Sequence, residues 1–114
     1  MNIRRIEAGP RLSQAVIHDG KVYLAGQVGA PGQSVAEQTK AVLASIDRLL
    51  NEAGTDKSKL LQAIIWLADI EDFSEMNAVW DEWVDAKSPP ARATGGATLS
   101  SPAYKVEIIV TAAV

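Results

Sequence analysis

Leu60-Leu61-Gln62-Ala63-Ile64-Ile65-Trp66-Leu67-Ala68-Asp69-Ile70 decides the fold of this chain. Its apolar residues fall on both faces of an extended strand instead of alternating with polar ones, the pattern of a central strand buried on two sides. On the N-terminal side lies a helix. Ser34-Val35-Ala36-Glu37 has the form of a capping box, with the serine oxygen serving the amide three residues on and Glu37 reaching back. Val35, Thr39, Val42, Leu43, Ile46, Leu49, Leu50 and Ala53 then keep helical spacing, and Gly54 stands where a left-handed cap ends the helix.

On the C-terminal side, Phe73, Met76, Val79, Trp80 and Trp83 form a second amphipathic stripe, with Glu71 and Asp72 at its N-terminal end and Pro89-Pro90 beyond it. Two further strands are expected over 91–98 and 105–113. At the other end of the chain, Gln14 to His18 and Lys21 to Gly26 flank Asp19-Gly20, a type I′ hairpin turn, preceded by a short strand within Asn2 to Ala8. The element order is therefore β-β-β-α-β-α-β-β, a mixed sheet with both crossover helices on one face. Residues 60–70 and 106–114 place apolar side chains on the other face too. A monomer of this size does not hide them, so we expect a homo-oligomer of C3 or C2 symmetry.

The chain has 114 residues, 47% of them apolar and 22% charged, which fits one compact domain over residues 1–114. Its net charge of -3 and the lack of any basic stripe argue against nucleic acid as a partner. Without cysteine there is no disulfide, thiolate metal site or thiol nucleophile. The charged start Met1-Asn2-Ile3-Arg4-Arg5 is unlike a signal peptide, and the run from Ala63 to Ala68 is far short of a membrane span. The expectation is a cytoplasmic protein with no membrane partner.

Few residues are equipped for chemistry. Arg92, after Pro89-Pro90-Ala91, offers a planar fork that holds a carboxylate with two parallel hydrogen bonds, and Glu107 offers a carboxylate at the start of the last strand. On spacing alone a cross-strand ion pair between them is the simpler expectation. Gly95-Gly96 inside a strand marks a bulge, a pocket wall or a place for a neighbouring subunit. The bare amides of Gly26-Gln27 suit a ligand or a turn equally. His18 belongs to the hairpin, and Trp66, Trp80 and Trp83 read as core or interface anchors. No metal-ligand spacing, phosphate loop or nucleophile elbow is present.

Taken in order, Gly9-Pro10 followed by Ser13-Gln14-Ala15-Val16, Ala25-Gly26-Gln27, Phe73-Ser74-Glu75-Met76-Asn77, Pro90-Ala91-Arg92 and Lys105-Val106-Glu107-Ile108 resemble the RidA family, also called the YjgF family, of enamine/imine deaminases. The resemblance covers essentially the whole chain, and the ending Tyr104 to Ile108 is most similar to the short YoaB-type branch. It implies an α+β, chorismate-mutase-like fold, a homotrimer with an inner β-barrel, and clefts between subunits. It further implies that Arg92 binds a substrate carboxylate and that Glu107 positions the hydrolytic water. Thr94 would help hold that water through its carbonyl, Gly26 would line the cleft, and Asn77 would be structural. The implied activity is that of a 2-iminobutanoate/2-iminopropanoate deaminase-like hydrolase, converting α-imino acids such as the 2-aminoacrylate tautomer to 2-keto acids and ammonia without metal or organic cofactor. The alternative is a non-catalytic module that binds small carboxylates on the same fold. Family members acting on 2-aminoacrylate usually have a tyrosine after the Gly-Pro and a serine before the Gly-Gln, where this chain has Arg11-Leu12 and Ala25. Gly95-Gly96 replaces bulkier residues, which implies a wider cleft.

Overall fold

The computed structural model describes residues 2–114. Its strands and helices follow the expected order: β1 (Arg4–Ala8), β2 (Ser13–His18), β3 (Lys21–Leu24), α1 (Val35–Glu52), β4 (Leu60–Leu67), α2 (Phe73–Trp83), β5 (Ala91–Gly96) and β6 (Val106–Ala113). The central strand stops earlier than its hydropathy suggests. Asp69 accepts a hydrogen bond from the Glu71 amide and turns residues 70–72 into a short 3-10 segment leading to α2. At the hairpin, Asp19 and Gly20 both have positive φ, 52° and 76°, as a type I′ turn demands.

Helix α1 is set at both ends by its own sequence. Ser34 Oγ accepts from the Glu37 amide at 3.1 Å, but the Glu37 carboxylate turns to Lys40 at 3.5 Å, so half of the capping box forms. At the C-terminus the Gly54 amide donates to the Asn51 carbonyl and the Thr55 amide to the Leu50 carbonyl, closing a Schellman motif.

One six-stranded sheet has the order β1-β2-β3-β6-β4-β5. β4 and β5 run parallel and the other neighbours antiparallel. The last strand in sequence thus enters the middle, between β3 and β4. Register then sorts every side chain to one of two faces. Ile6, Ala15, Leu24, Val22, Ala112, Val110, Ile108 and Val106 stand with Ala63, Ile65 and Leu67 under the helices and are buried. Facing them are Val42, Leu43, Ile46, Leu49 and Leu50 of α1 and Met76 and Trp80 of α2. Complete burial of one such aliphatic side chain contributes roughly 1.5–3 kcal/mol, so this single layer holds the domain together.

The opposite face carries Val16, Tyr23, Ile64, Trp66 and Ile109, none of them fully buried, with Tyr23 46% and Trp66 37% exposed. No helix covers it. The two-sided apolar pattern of β4 therefore does not reflect two covering layers within one chain.

Polar residues also reach the core, Gln38 and Thr39 of α1 among them. Gln38 of α1 is fully buried; its side-chain nitrogen donates to the carbonyls of Gln33 and Ala103 at 3.0 and 2.9 Å, and its oxygen accepts from the Lys105 amide at 2.8 Å. The side chain straps the segment before β6 to α1, and β6 carries Glu107. Gln38→Leu would leave the Gln33 carbonyl and the Lys105 amide without partners, while the Ala103 carbonyl keeps the Gly32 amide, and we expect a loss of about 2–4 kcal/mol, read as a lower urea midpoint. A loss under about 0.5 kcal/mol would mean that neighbouring contacts hold the segment without it.

Candidate functional site

Arg92 lies on β5, the edge strand, and pairs with Ala63, which puts its side chain on the helix-covered face. There its guanidinium carbon sits 5.3 Å from the centre of the Trp80 ring and 5.8 Å from that of Phe73. Stacking on two rings orients the fork while leaving its N–H edge available, a gain of about 0.5–1 kcal/mol per ring at a partly exposed position. Among the described residues Arg92 makes no side-chain hydrogen bond and no ion pair.

Two more polar atoms belong to this wall. Thr94, two positions along the same strand, pairs with Ile65 and faces the same way. Asn77 shares the α2 stripe with Phe73 and Trp80. Thr94 Oγ1 and Asn77 Oδ1 are both buried without a hydrogen-bond partner. Buried polar atoms rarely remain so, and water or a ligand normally completes them. Sequence resemblance gives Thr94 a role only through its carbonyl and Asn77 only a structural one; the β5 register and the place of Asn77 on α2 are what bring their side-chain oxygens inside.

Glu107 is elsewhere. It pairs with Trp66 across β6 and β4 and points to the open face. β4 stands between β5 and β6, so Arg92 and Glu107 are neither on neighbouring strands nor on the same face. The cross-strand ion pair that spacing suggested does not form, because topology inserts a strand between its members. Like Arg92, Glu107 makes no ion pair and no side-chain hydrogen bond among the described residues.

Gly26 is what gives Glu107 its place. A Cβ built at Gly26 would overlap Glu107 Oε2 and lie 2.8 Å from the carboxyl carbon, so only glycine admits the carboxylate there. The next residue fixes the register. Gln27 donates its amide to the Ile108 carbonyl at 2.9 Å and accepts from the Ile108 amide at 3.1 Å, and its side chain reaches Gln14 and Ala25. Gly26-Gln27 is thus a backbone brace for the start of β6.

Gly95 shows the same kind of accommodation. Its missing Cβ would stand 3.1 Å from Cζ3 of Trp66, whose ring lies across this position on the open face. The glycine therefore does not simply widen a cleft, since the indole occupies the room it leaves. His18 stays on the hairpin, with Nδ1 3.4 Å from the Asn2 carbonyl. Two surface cavities of about 290 and 260 Å³ lie away from these residues, one between the helices against Trp83 and one under the β5–β6 connection against Tyr104. No helix among the described residues is long and apolar enough to cross a membrane.

Each half of the predicted pair is thus formed and poised within one chain, with the guanidinium against α2 and the carboxylate over Gly26. The two halves point away from each other. This split can be set beside known proteins. The profile of the family described as Endoribonuclease L-PSP matches residues 2–114. A RutC family protein of Haemophilus influenzae is 49% identical over 114 residues, 98% of each chain, and the RutC family protein YoaB of Escherichia coli is 46% identical over the whole of both chains. A 2-iminobutanoate/2-iminopropanoate deaminase of Bos taurus is 42% identical over 88 residues, 71% of this chain and 64% of that one. The crystal structure of a YjgF family member from Neisseria meningitidis superposes with a TM-score of 0.97 at 49% identity, covering 99% of this chain and 95% of the other. With its fold, its Gly26-Glu107 contact and its Arg92 wall in place, the chain belongs to the RidA/YjgF family, beside the RutC proteins of the YoaB kind.

Proposed function

We propose that this protein hydrolyses small α-imino acids to 2-keto acids and ammonia, in a homotrimer where Arg92 of one copy faces Glu107 of the next. The observation that carries this reading is the split itself: a guanidinium and a carboxylate, each built into place, neither paired, on opposite faces of one sheet. An edge strand bearing Arg92 and an uncovered face bearing Glu107 are complementary surfaces for a second copy, and the exposed Tyr23 and Trp66 support burial of that face. The deaminase name of the Bos taurus relative supports the reaction.

The chemistry asks little of the site. The Arg92 fork takes the substrate carboxylate with two hydrogen bonds and so aims the imine carbon at a water held by Glu107. Glu107 accepts a proton as the water oxygen bonds to that carbon, giving a carbinolamine. Return of that proton to nitrogen makes ammonia a leaving group; as the C–N bond breaks, Glu107 takes the hydroxyl proton, so the carbonyl of the keto acid forms and ammonia leaves, carrying that proton away as ammonium. A protonated imine is already electrophilic, so positioning and one proton acceptor are enough. An RNA-cleaving role fits less well, since the net charge of -3 gives a phosphate backbone no basic stripe and the single histidine sits on the hairpin.

Ammonia release should be measured with α-imino acids generated by enzymatic oxidation of the parent amino acids. Arg92→Ala should fall to the uncatalysed rate with the oligomer intact, and Arg92→Lys should lose about 10- to 100-fold because one hydrogen bond of the pair goes. Equal rates for wild type and Arg92→Ala would overturn the proposal. Saturable binding of keto acids without turnover would instead identify a carboxylate-binding module. Gly26→Ala should push the Glu107 carboxylate off its place and lower kcat by about a hundredfold, with keto-acid affinity nearly unchanged. A Gly26→Ala enzyme with wild-type kcat would remove Glu107 from the proton-accepting role.

A further inference from the structure

Three residues lie in one row across the open face. The β4–β6 register sets Trp66 directly opposite Glu107, and the β4–β5 register sets Gly95 on its other side. Directly opposite residues on one sheet face have Cβ atoms about 4.5–5.5 Å apart. Trp66 is therefore the large apolar cross-strand neighbour of Glu107; the carboxylate leans to Gly26 on one side and the indole to Gly95 on the other, which leaves a gap between them. The indole leans over Gly95, where a Cβ would stand 3.1 Å from Cζ3 and 3.6 Å from Cε3, and it keeps 37% of its surface exposed. Only these two atoms of the ring come within 4 Å, so the benzo edge of the indole rests against the glycine, and a branched side chain at position 95 would push that edge away from β5.

We propose that Trp66, held down by Gly95, is the wall that selects the substrate's side chain. This rests on the imine hydrolase reading above. In an α-imino acid the carboxylate, the imine nitrogen and the side chain all branch from the carbon that water attacks. With water held at Glu107, that carbon lies about 3–3.5 Å from the water oxygen. The side chain must then extend within a few ångströms of Glu107, where Trp66 offers an apolar face. The same face attracts a protonated imine through its ring electrons. The position of the indole sets how much side chain fits: with its edge resting against Gly95 it admits small and medium aliphatic groups, pushed toward Glu107 it admits only the smallest, and absent it admits bulky ones.

This makes two substitutions on different strands act in opposite directions. The measurement is kcat/KM for a branched or aromatic imino acid divided by that for a two- or three-carbon side-chain analogue, for wild type, Trp66→Ala, Trp66→Phe, Gly95→Val and the double variant Trp66→Ala/Gly95→Val. Trp66→Ala should raise the ratio about 10-fold or more, within the range by which apolar pockets separate substrates of different size. Trp66→Phe should raise it less, and Gly95→Val should lower it. In the double variant the effect of Gly95→Val should largely vanish, because that effect acts through the indole. A purely structural role would scale all substrates alike and leave the ratio fixed. If wild type binds keto acids without turnover, the ratio of Kd values over the same side chains is read instead. Ratios within twofold of wild type in both Trp66 variants would overturn the wall and leave the hydrolase reading standing. Wild type that neither turns over nor binds any member of the panel would take down both.

Discussion

The insertion of β6 between β3 and β4 is the constraint on which the rest of this structure depends. It completes the backbone hydrogen bonding of β4 on the side away from β5, and it brings the last residues of the chain into the middle of the sheet. Because β-strand side chains alternate, the same registers that bury Ile108 against Ile65 must expose Glu107 beside Trp66. Slipping β6 by one residue would send Glu107 into the core beneath the helices and Ile108 to the open face. The hydrophobic layer thus enforces the placement of the carboxylate, and Gln38 adds a polar strap at the point where the strand begins.

Much of this was legible in the sequence, because local signals and the global fold agree. The Asp19-Gly20 turn, the Ser34 cap, the Gly54 stop and the two amphipathic stripes each act within a few residues, and each appears where its chemistry calls for it. The end of β4 was not legible. Ile70 continues the apolar run, but the Asp69 carboxylate accepts a hydrogen bond from the Glu71 amide, which competes with the strand and wins. Gln38 sits at i+3 from Val35 and i-1 from Thr39, inside the apolar stripe. A long polar residue there is a signal in itself, since it must find partners in the core.

The candidate site was legible as a set of residues and illegible as an arrangement. Arg92 and Glu107 stand out by their chemistry, but their sequence separation says nothing of the strand that comes between them. Only sheet order reveals that they face away from each other. A cross-strand ion pair would have needed adjacent strands. The observed order leaves each charged group with solvent, ligand or another copy of the chain as its partner.

Glycine is used twice on the open face for the same physical end, with different partners. At Gly26 the missing side chain admits a carboxylate, and at Gly95 it admits an indole. Both positions lose the packing and β-propensity that a larger residue would contribute to a strand or its end, roughly 0.5–1 kcal/mol each relative to alanine. Both give that stability up in order to seat a larger side chain of a neighbouring strand against bare backbone. The result is a polar seat and an apolar seat side by side on β6 and β4, fixed by backbone and not by other flexible side chains. A carboxylate seated against bare backbone in this way is kept close to one strand end, a placement that suits the proton-accepting role proposed for it. An indole seated this way keeps its place only while position 95 carries no side chain, because any Cβ there presses on its edge.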